Sequence, residues 1–361
     1  MAKPEIRTAT LTEAEFAEWN QFVEGAPSGS VYSRTDYLDA LCTAAGGRFR
    51  VVVVRQGDAL LGGVALYERD SRFGSYVSPR LLLYYNGPVV RLHDTKYPSE
   101  QTARHLKTLS ILETELRAVG YGSIILKPRS PIADLRPFLA AGWRANHGYS
   151  YVVSISDLDA TRARIEQNLR RLIDRCGRNE TAFTDDEDFD SFFRLHTSTM
   201  ERVEFQVYLP EAAFRTYFAT LARQGLAKLF HARLTDGRAI ATQLVLLGHP
   251  VTHTVCAGAD PEHMKSGVTA FLRWKSFERL SELGHTANDL TDASLNPVTH
   301  FKSQLGGSLE PWMELSSPLS PRYRWGTGAL ELAGRSRGLA SSIARRVLRR
   351  DAGQPKAESN E

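Results

Sequence analysis

The chain reads as a layered α/β protein built from two similar units in tandem, and three observations lead there. Strand-like and helix-like patterns alternate along it. The order hairpin, long helix, glycine, strand, short helix, glycine, strand occurs twice. And 361 residues exceed what one ordinary hydrophobic core organises. The expected division is a first unit over 1–158, a second over 159–320, and a basic segment over 321–361, each unit holding a mixed sheet.

Residues 11–25 carry Phe16, Trp19, Phe22 and Val23 at helical spacing, with Gly25 and Pro27 as the stop. A second helical pattern spans 36–45. Residues 49–55 and 59–67 are valine- and leucine-rich runs around Gln56-Gly57-Asp58, the signature of a hairpin. After an apolar, aromatic run over 80–90, punctuated by Asn86-Gly87-Pro88, residues 99–119 have the length of a crossover helix ending at Gly120. A strand at 123–126, a helix over 132–141 closed by Gly142, and a strand over 143–153 complete the unit.

Residues 160–178 form a basic helix with Ile165, Leu169, Leu172, Ile173 and Cys176 on one face and arginines largely on the other. Amphipathic helices follow at 189–200 and 211–223. Strands at 226–234 and 239–247 flank Asp236-Gly237, and a third lies at 251–257. A long helix over 267–283 ends at Gly284, where the first unit has Gly120. Then come a strand reaching Asp289, a loop, and a short helix from Pro297 to the Gly306-Gly307 stop. The end differs in kind: residues 322–350 hold eight arginines against one carboxylate, Glu331, and read as a basic amphipathic helix before a polar terminus.

A net charge of +4 is too mild to make the whole chain a nucleic-acid binder. Cys42, Cys176 and Cys256 are odd in number and share no C-x-x-C spacing, which argues against a disulfide framework or a zinc site, and the histidines share no ligand spacing. The expectation is no metal, no resident cofactor, and a reducing, cytoplasmic setting, with the basic tail either docking on a membrane surface or packing within the molecule.

The residues able to carry chemistry cluster late. Lys302 rides on the short helix beside a strand ending in carboxylates, and is either a ligand-binding cation or a solvated lysine. Asp289 and Asp292 either accept a proton from an attacking amine or, for Asp292, cap the helix that follows. Arg170, Arg171 and Arg175 either grip phosphate or pair with Asp185, Asp186 and Glu187. Tyr84 and Tyr85 read as packing residues that also have a place near a cleft.

Two mixed α/β units, each with a hairpin ahead of a crossover helix, are similar to the GCN5-related N-acetyltransferase fold. The run Asn168-Leu169-Arg170-Arg171-Leu172-Ile173-Asp174-Arg175, then Thr197-x-x-x-Glu201-Arg202, the Asp289 strand and His300-Phe301-Lys302-x-x-Leu305-Gly306-Gly307 together resemble the FemABX family of tandem transferases and its relatives in polysaccharide biosynthesis. That resemblance spans about residues 10–320. It implies transfer of an acyl or aminoacyl group onto an amine, from aminoacyl-tRNA in the cell-wall members.

Carried over residue by residue, the resemblance implies a catalytic role for Lys302 with Asp289, and substrate contacts for Phe301, Arg170, Arg171 and Arg202. The acceptor it implies is a small molecule or glycan precursor, with tRNA as donor partner. An acyl-CoA donor expects a phosphate loop of the form [RQ]-x-x-G-x-[GA]; the matching stretch, Met264-Lys265-Ser266-Gly267-Val268-Thr269, keeps only Gly267, with Lys265 as a displaced charge. Lys265, Ser266 and Gly267 are therefore the donor-binding candidates. Alternatives to this reading are an acyl-CoA-dependent acetyltransferase of exopolysaccharide or secondary metabolism, and a non-catalytic membrane-surface binding protein.

Overall fold

The structure is a computed structural model, and it describes residues 5–326 apart from 81, 133, 180 and 296. The expected basic helix over 322–350 lies almost wholly outside the described residues. Among those described, no helix is long and apolar enough to cross a membrane.

The first unit opens with β1 (Ile6–Thr10), α1 (Phe16–Gly25) and α2 (Thr35–Ala45). In α1 the helical spacing seen in the sequence buries Trp19 and Val23, one turn apart. The hairpin is β2 (Arg48–Gln56) and β3 (Ala59–Ser71), joined through Gly57 at φ +59°. The sequence showed no strand between this hairpin and the long helix, yet β4 (Gly74–Val77) is there, along with a two-residue β5 (Val89–Val90). Then follow α3 (Pro98–Ala118), β6 (Ser123–Leu126), α4 (Arg136–Ala140) and β7 (Arg144–Ser154). The helix expected over 132–141 shrinks to α4, because Pro137 fits only its first turn.

The second unit starts with two helices rather than the one expected: α5 (Leu158–Arg164) and α6 (Gln167–Arg178). Ile165 takes an extended backbone, and the Glu166 N–H turns away to donate to the Gln304 carbonyl at 3.0 Å, so a contact with a segment distant in sequence breaks the helix. Next come β8 (Ala182–Asp185), α7 (Phe189–Arg202), α8 (Glu211–Arg223), β9 (Ala227–Arg233), β10 (Ala239–Leu246) and β11 (Thr252–Ala259). The unit closes with α9 (Val268–Glu282), β12 (Ala287–Asp289), α10 (Pro297–Ser303) and β13 (Ser308–Ser316). Gly120 and Gly284 stop the two long helices in the left-handed region, at φ +78° and +87°, so the duplication seen in the sequence recurs in backbone conformation.

All the described strands belong to one sheet, ordered β1-β2-β3-β4-β6-β13-β7-β12-β11-β10-β9-β8, with β5 on β3. The units interleave at its centre. β13, the last strand of the second unit, pairs antiparallel with β6 and β7 of the first, and β7 pairs antiparallel with β12 of the second. Beyond β13, Ser317 and Ser320, still within the second unit, donate backbone N–H groups to the Ile124 and Gly122 carbonyls of the first.

One core joins the units: Trp19, Tyr32 and Tyr37 from the first meet Phe192, Phe214 and Tyr217 from the second. Each buried aromatic contributes roughly 1.5–3 kcal/mol relative to exposure. Separate cores sit under α3 and α4 in the first unit and under α5, α6 and α9 in the second. Exchanged strands and a shared core fix the two units as walls of one cleft.

Candidate functional site

The cleft has a volume of about 910 Å³ and takes side chains from both units. Its floor near the second unit is made by the chain between β12 and α10. β11 and β12 run parallel, but they pair only over Thr252 with Asn288 and His253 with Asp289 before they part, so the residues after Asp289 are free to turn into the gap.

That turn is unusual. Thr291 and Asp292, neither a glycine, are both left-handed at φ +48° and +50°. Each such residue costs about 1–2 kcal/mol, and holds only where the surroundings dictate it. Here the Thr291 N–H donates to Asp289 Oδ1 at 2.7 Å and its hydroxyl to the Thr254 carbonyl at 3.0 Å. From α10, the Lys302 ammonium donates to the carbonyl of Thr291 and, at 2.8 Å, to that of Asp292. Two consecutive left-handed residues aim both carbonyls at one lysine.

Lys302 lines the cleft with Asp292. Burial pulls its pKa down, the nearby Arg273 guanidinium pulls it further, and Asp292 and Asp289 pull back, leaving it at about 8. Among the described residues, two of its three N–H donors go to carbonyls, which leaves one for a ligand.

Asp289 is placed differently from a group that exchanges protons with substrate. It is 2 % exposed, and its carboxylate accepts from the Tyr85 hydroxyl at 2.8 Å, from the Ser150 hydroxyl and from the Thr291 N–H, with His253 Nδ1 at 3.5 Å. Burial opposes its charge, but the His253 ring and the donors from Ser150 and Thr291 outweigh that and hold its pKa at about 2. A carboxylate so fully occupied by donors holds the turn. Tyr85, expected as packing, is buried and serves this anion, whereas its neighbour Tyr84 lines the cleft.

The other expected residues lie further out. Phe301 packs half-buried against the second-unit core. Arg170 is half-buried and Arg171 exposed on α6, and Arg202 is exposed at the end of α7. Lys265, exposed, and Ser266, partly buried, end a short turn of helix, and Gly267, at φ +88°, opens α9, whose start has no side-chain cap. A Cβ on Gly267 would sit 2.8 Å from that of Leu172, and Arg175 donates to the Lys265 carbonyl at 3.3 Å. The structure thus brings the arginine-bearing α6 and the expected donor loop together. Among the described lining residues of the cleft, Lys302, Asp292 and Tyr84 are those the sequence singled out. No described group of three or more His, Cys, Asp or Glu side chains is set to hold a metal.

A residue the sequence did not single out completes the wall. Lys127 follows β6 directly, and its Nζ lies 3.6 Å from the centre of the Tyr84 ring and 3.5 Å from that of Trp312. Burial lowers its pKa to about 8 against the pull of Asp292, Glu314 and Asp289. No local pattern marks it, since its partners come from a distant loop and from β13.

Residues 159–303 match the family described as acetyltransferase (GNAT) domain, which is the second unit up to the end of α10. No curated protein matches the chain in sequence. Among solved structures the chain is similar to FemX, with a TM-score of 0.68 and 14% identity over 85% of this chain and 96% of that one. The C-terminal domain of a putative lysylphosphatidylglycerol synthetase from Agrobacterium fabrum is similar at a TM-score of 0.57 and 14% identity, covering 89% and 98%. A tandem GNAT protein from the clavulanic acid biosynthesis pathway is similar at 0.52 and 12%, covering 88% and 99%. Residues 159–303 thus resemble a GNAT acetyltransferase domain, and the chain as a whole has a fold like that of FemX; identities this low carry the fold alone.

Proposed function

We propose that the protein is an N-acyl or aminoacyl transferase, moving an acyl group from an activated donor to an amine held in the cleft between the units. The observation that carries the proposal is the Lys302 ammonium, tethered by two strained carbonyls at the cleft floor with one donor left over. A charge fixed in that way is preorganised for the oxyanion that forms when an amine attacks an ester or thioester, at no cost in reorganisation during the reaction. The nitrogen of the neutral amine bonds to the acyl carbon, the bond to the donor oxygen or sulfur breaks, the proton lost from nitrogen passes to that departing atom, and the enzyme forms no covalent intermediate. Asp289 acts as a positioning residue: it holds the Thr291 turn, which holds Lys302.

The donor's phosphates belong, in this reading, at the start of α9. The first N–H groups of a 15-residue helix without a side-chain cap, with Lys265 beside them and Arg170, Arg171 and Arg175 on the adjoining α6, form a cationic seat. The loop keeps only Gly267 of the CoA pattern, which favours an aminoacyl-tRNA donor, while the GNAT match keeps acyl-CoA as the second reading. The acceptor class that fits is an amine on a cell-wall, polysaccharide or metabolite precursor.

Thermal stability measured with acetyl-CoA and, separately, with charged tRNA distinguishes the donors. Stabilisation by charged tRNA alone supports the favoured reading, and stabilisation by acetyl-CoA alone replaces it with the second. With the stabilising donor and a panel of amines, Lys302→Met should lower kcat by about 100- to 1000-fold. A variant as active as the parent removes the proposal.

A further inference from the structure

Each unit contributes one lysine to the cleft, from different places: Lys302 from α10, and Lys127 from the end of β6. Their surroundings differ. The Lys302 ammonium has two carbonyl acceptors, whereas Lys127 has no ion pair or side-chain hydrogen bond among the described residues. It is nonetheless 8 % exposed. Its backbone is pinned by Asn86, whose Oδ1 accepts the Lys127 N–H at 2.7 Å and whose N–H donates to the Lys127 carbonyl at 3.2 Å.

The Tyr84 and Trp312 faces attract this ammonium but offer its three N–H donors no lone pairs. The cleft that it lines leaves room for an anion to supply them. The same wall holds Arg80, whose guanidinium donates to the Tyr67 hydroxyl at 2.7 Å and has no described carboxylate partner. One carboxylate, Asp292, faces these cations among the described lining residues.

We infer that Lys127, walled by Tyr84 and Trp312, is an oxyanion-binding subsite on the first-unit side of the cleft that takes a carboxylate or phosphate group of the acceptor. Assigning that anion to the acceptor rests on the acyl-transfer reading. In that arrangement the donor's phosphates lie at α9, the reacting carbonyl at Lys302 and the acceptor's anion at Lys127. An amine with a carboxylate or phosphate is then favoured over a simple amine.

The test uses the full chain without any donor. Inorganic phosphate and acetate are titrated separately while the Trp312 emission is followed as the difference from Trp312→Phe, and binding is measured in parallel by calorimetry. The expected result is saturable binding of at least one anion that weakens tenfold or more in Lys127→Met, persists in Lys127→Arg, and is unchanged in Lys107→Met, which removes a positive charge from the exposed side of α3. Preference for phosphate identifies a phosphate-bearing acceptor, and preference for acetate a carboxylate-bearing one. Absence of saturable binding to either anion, or equal binding in Lys127→Met, overturns the inference. Because no acyl donor takes part, an absence of transferase activity leaves the subsite standing, and an active transferase without anion binding defeats the subsite alone.

Discussion

Tyr85 of the first unit donates its hydroxyl to the Asp289 carboxylate of the second at 2.8 Å, and neither group is more than 5 % exposed. This bond crosses between the units at the point where the cleft turn begins. Tyr85→Phe keeps the ring and leaves a buried carboxylate short of a donor, at a cost of about 1–3 kcal/mol. Urea unfolding should show that loss with an unchanged slope. A variant as stable as the parent would mean that Asp289 does not depend on the contact.

Asp289 also sets an acid limit. Its pKa is about 2 in the fold against an ordinary 3.8, so the unfolded chain binds the proton first as pH falls. The sign follows: its contribution is complete above about pH 4 and is lost between about 4 and 2. Asp188 is lowered to about 2 as well, and Glu15, Glu18, Asp70, Asp134 and Asp186 are also lowered, so the parent's acid profile is a sum over several carboxylates. The difference between parent and Asp289→Asn, measured as stability against pH, isolates Asp289. That difference should shrink below pH 4; a difference constant down to pH 2 contradicts the assignment.

At the alkaline side the two cleft lysines act in the opposite sense. Both titrate near 8 in the fold against an ordinary 10.5. Between these values the unfolded chain holds more protons, so stability should rise with pH across about 8 to 10.5, while a reaction that needs the Lys302 charge should slow above about 8. Two groups in one window give a limb that belongs to the pair. Lys302→Arg keeps its charge through this range, and any alkaline loss of rate that it retains belongs to Lys127 or to the substrate. If the limb is identical in parent and Lys302→Arg, Lys302 is not the titrating group.

What the sequence disclosed and what it hid follow one physical division. Helical spacing at Trp19 and Val23, the alternation flanking Gly57, and the glycine stops at Gly120 and Gly284 are local, and each element appears close to its expected bounds. The exchange of β7 and β13 is a matter of pairing between distant segments, on which local pattern is silent. The break at Ile165 came from the same kind of contact, with Gln304. Lys302 was legible through the motif around it. Lys127 was not, because its surroundings are assembled from Tyr84 and Trp312 only once the sheet forms. Asp289 was visible as a carboxylate at a strand end, but its role depends on donors from Tyr85 and Ser150, which only the folded sheet supplies.

The position of Trp312 over Lys127 depends on a glycine on the neighbouring strand. Gly148 on β7 pairs with Trp312 on β13, and a Cβ added there would clash with the indole ring. The missing side chain is what lets the ring lie flat across the strand and reach the ammonium. Gly148→Ala should therefore displace the indole, cost about 1–3 kcal/mol through overpacking, and remove one wall of the Lys127 seat. A smaller residue at 312 relieves the clash, so Trp312→Leu in the Gly148→Ala background should recover part of the stability and give a coupling energy in a double-mutant cycle. Emission spectra and urea melts of the four proteins check both parts. Additive effects would show that the indole rests on something other than Gly148, and an unshifted Trp312 emission in Gly148→Ala would show that the ring had not moved.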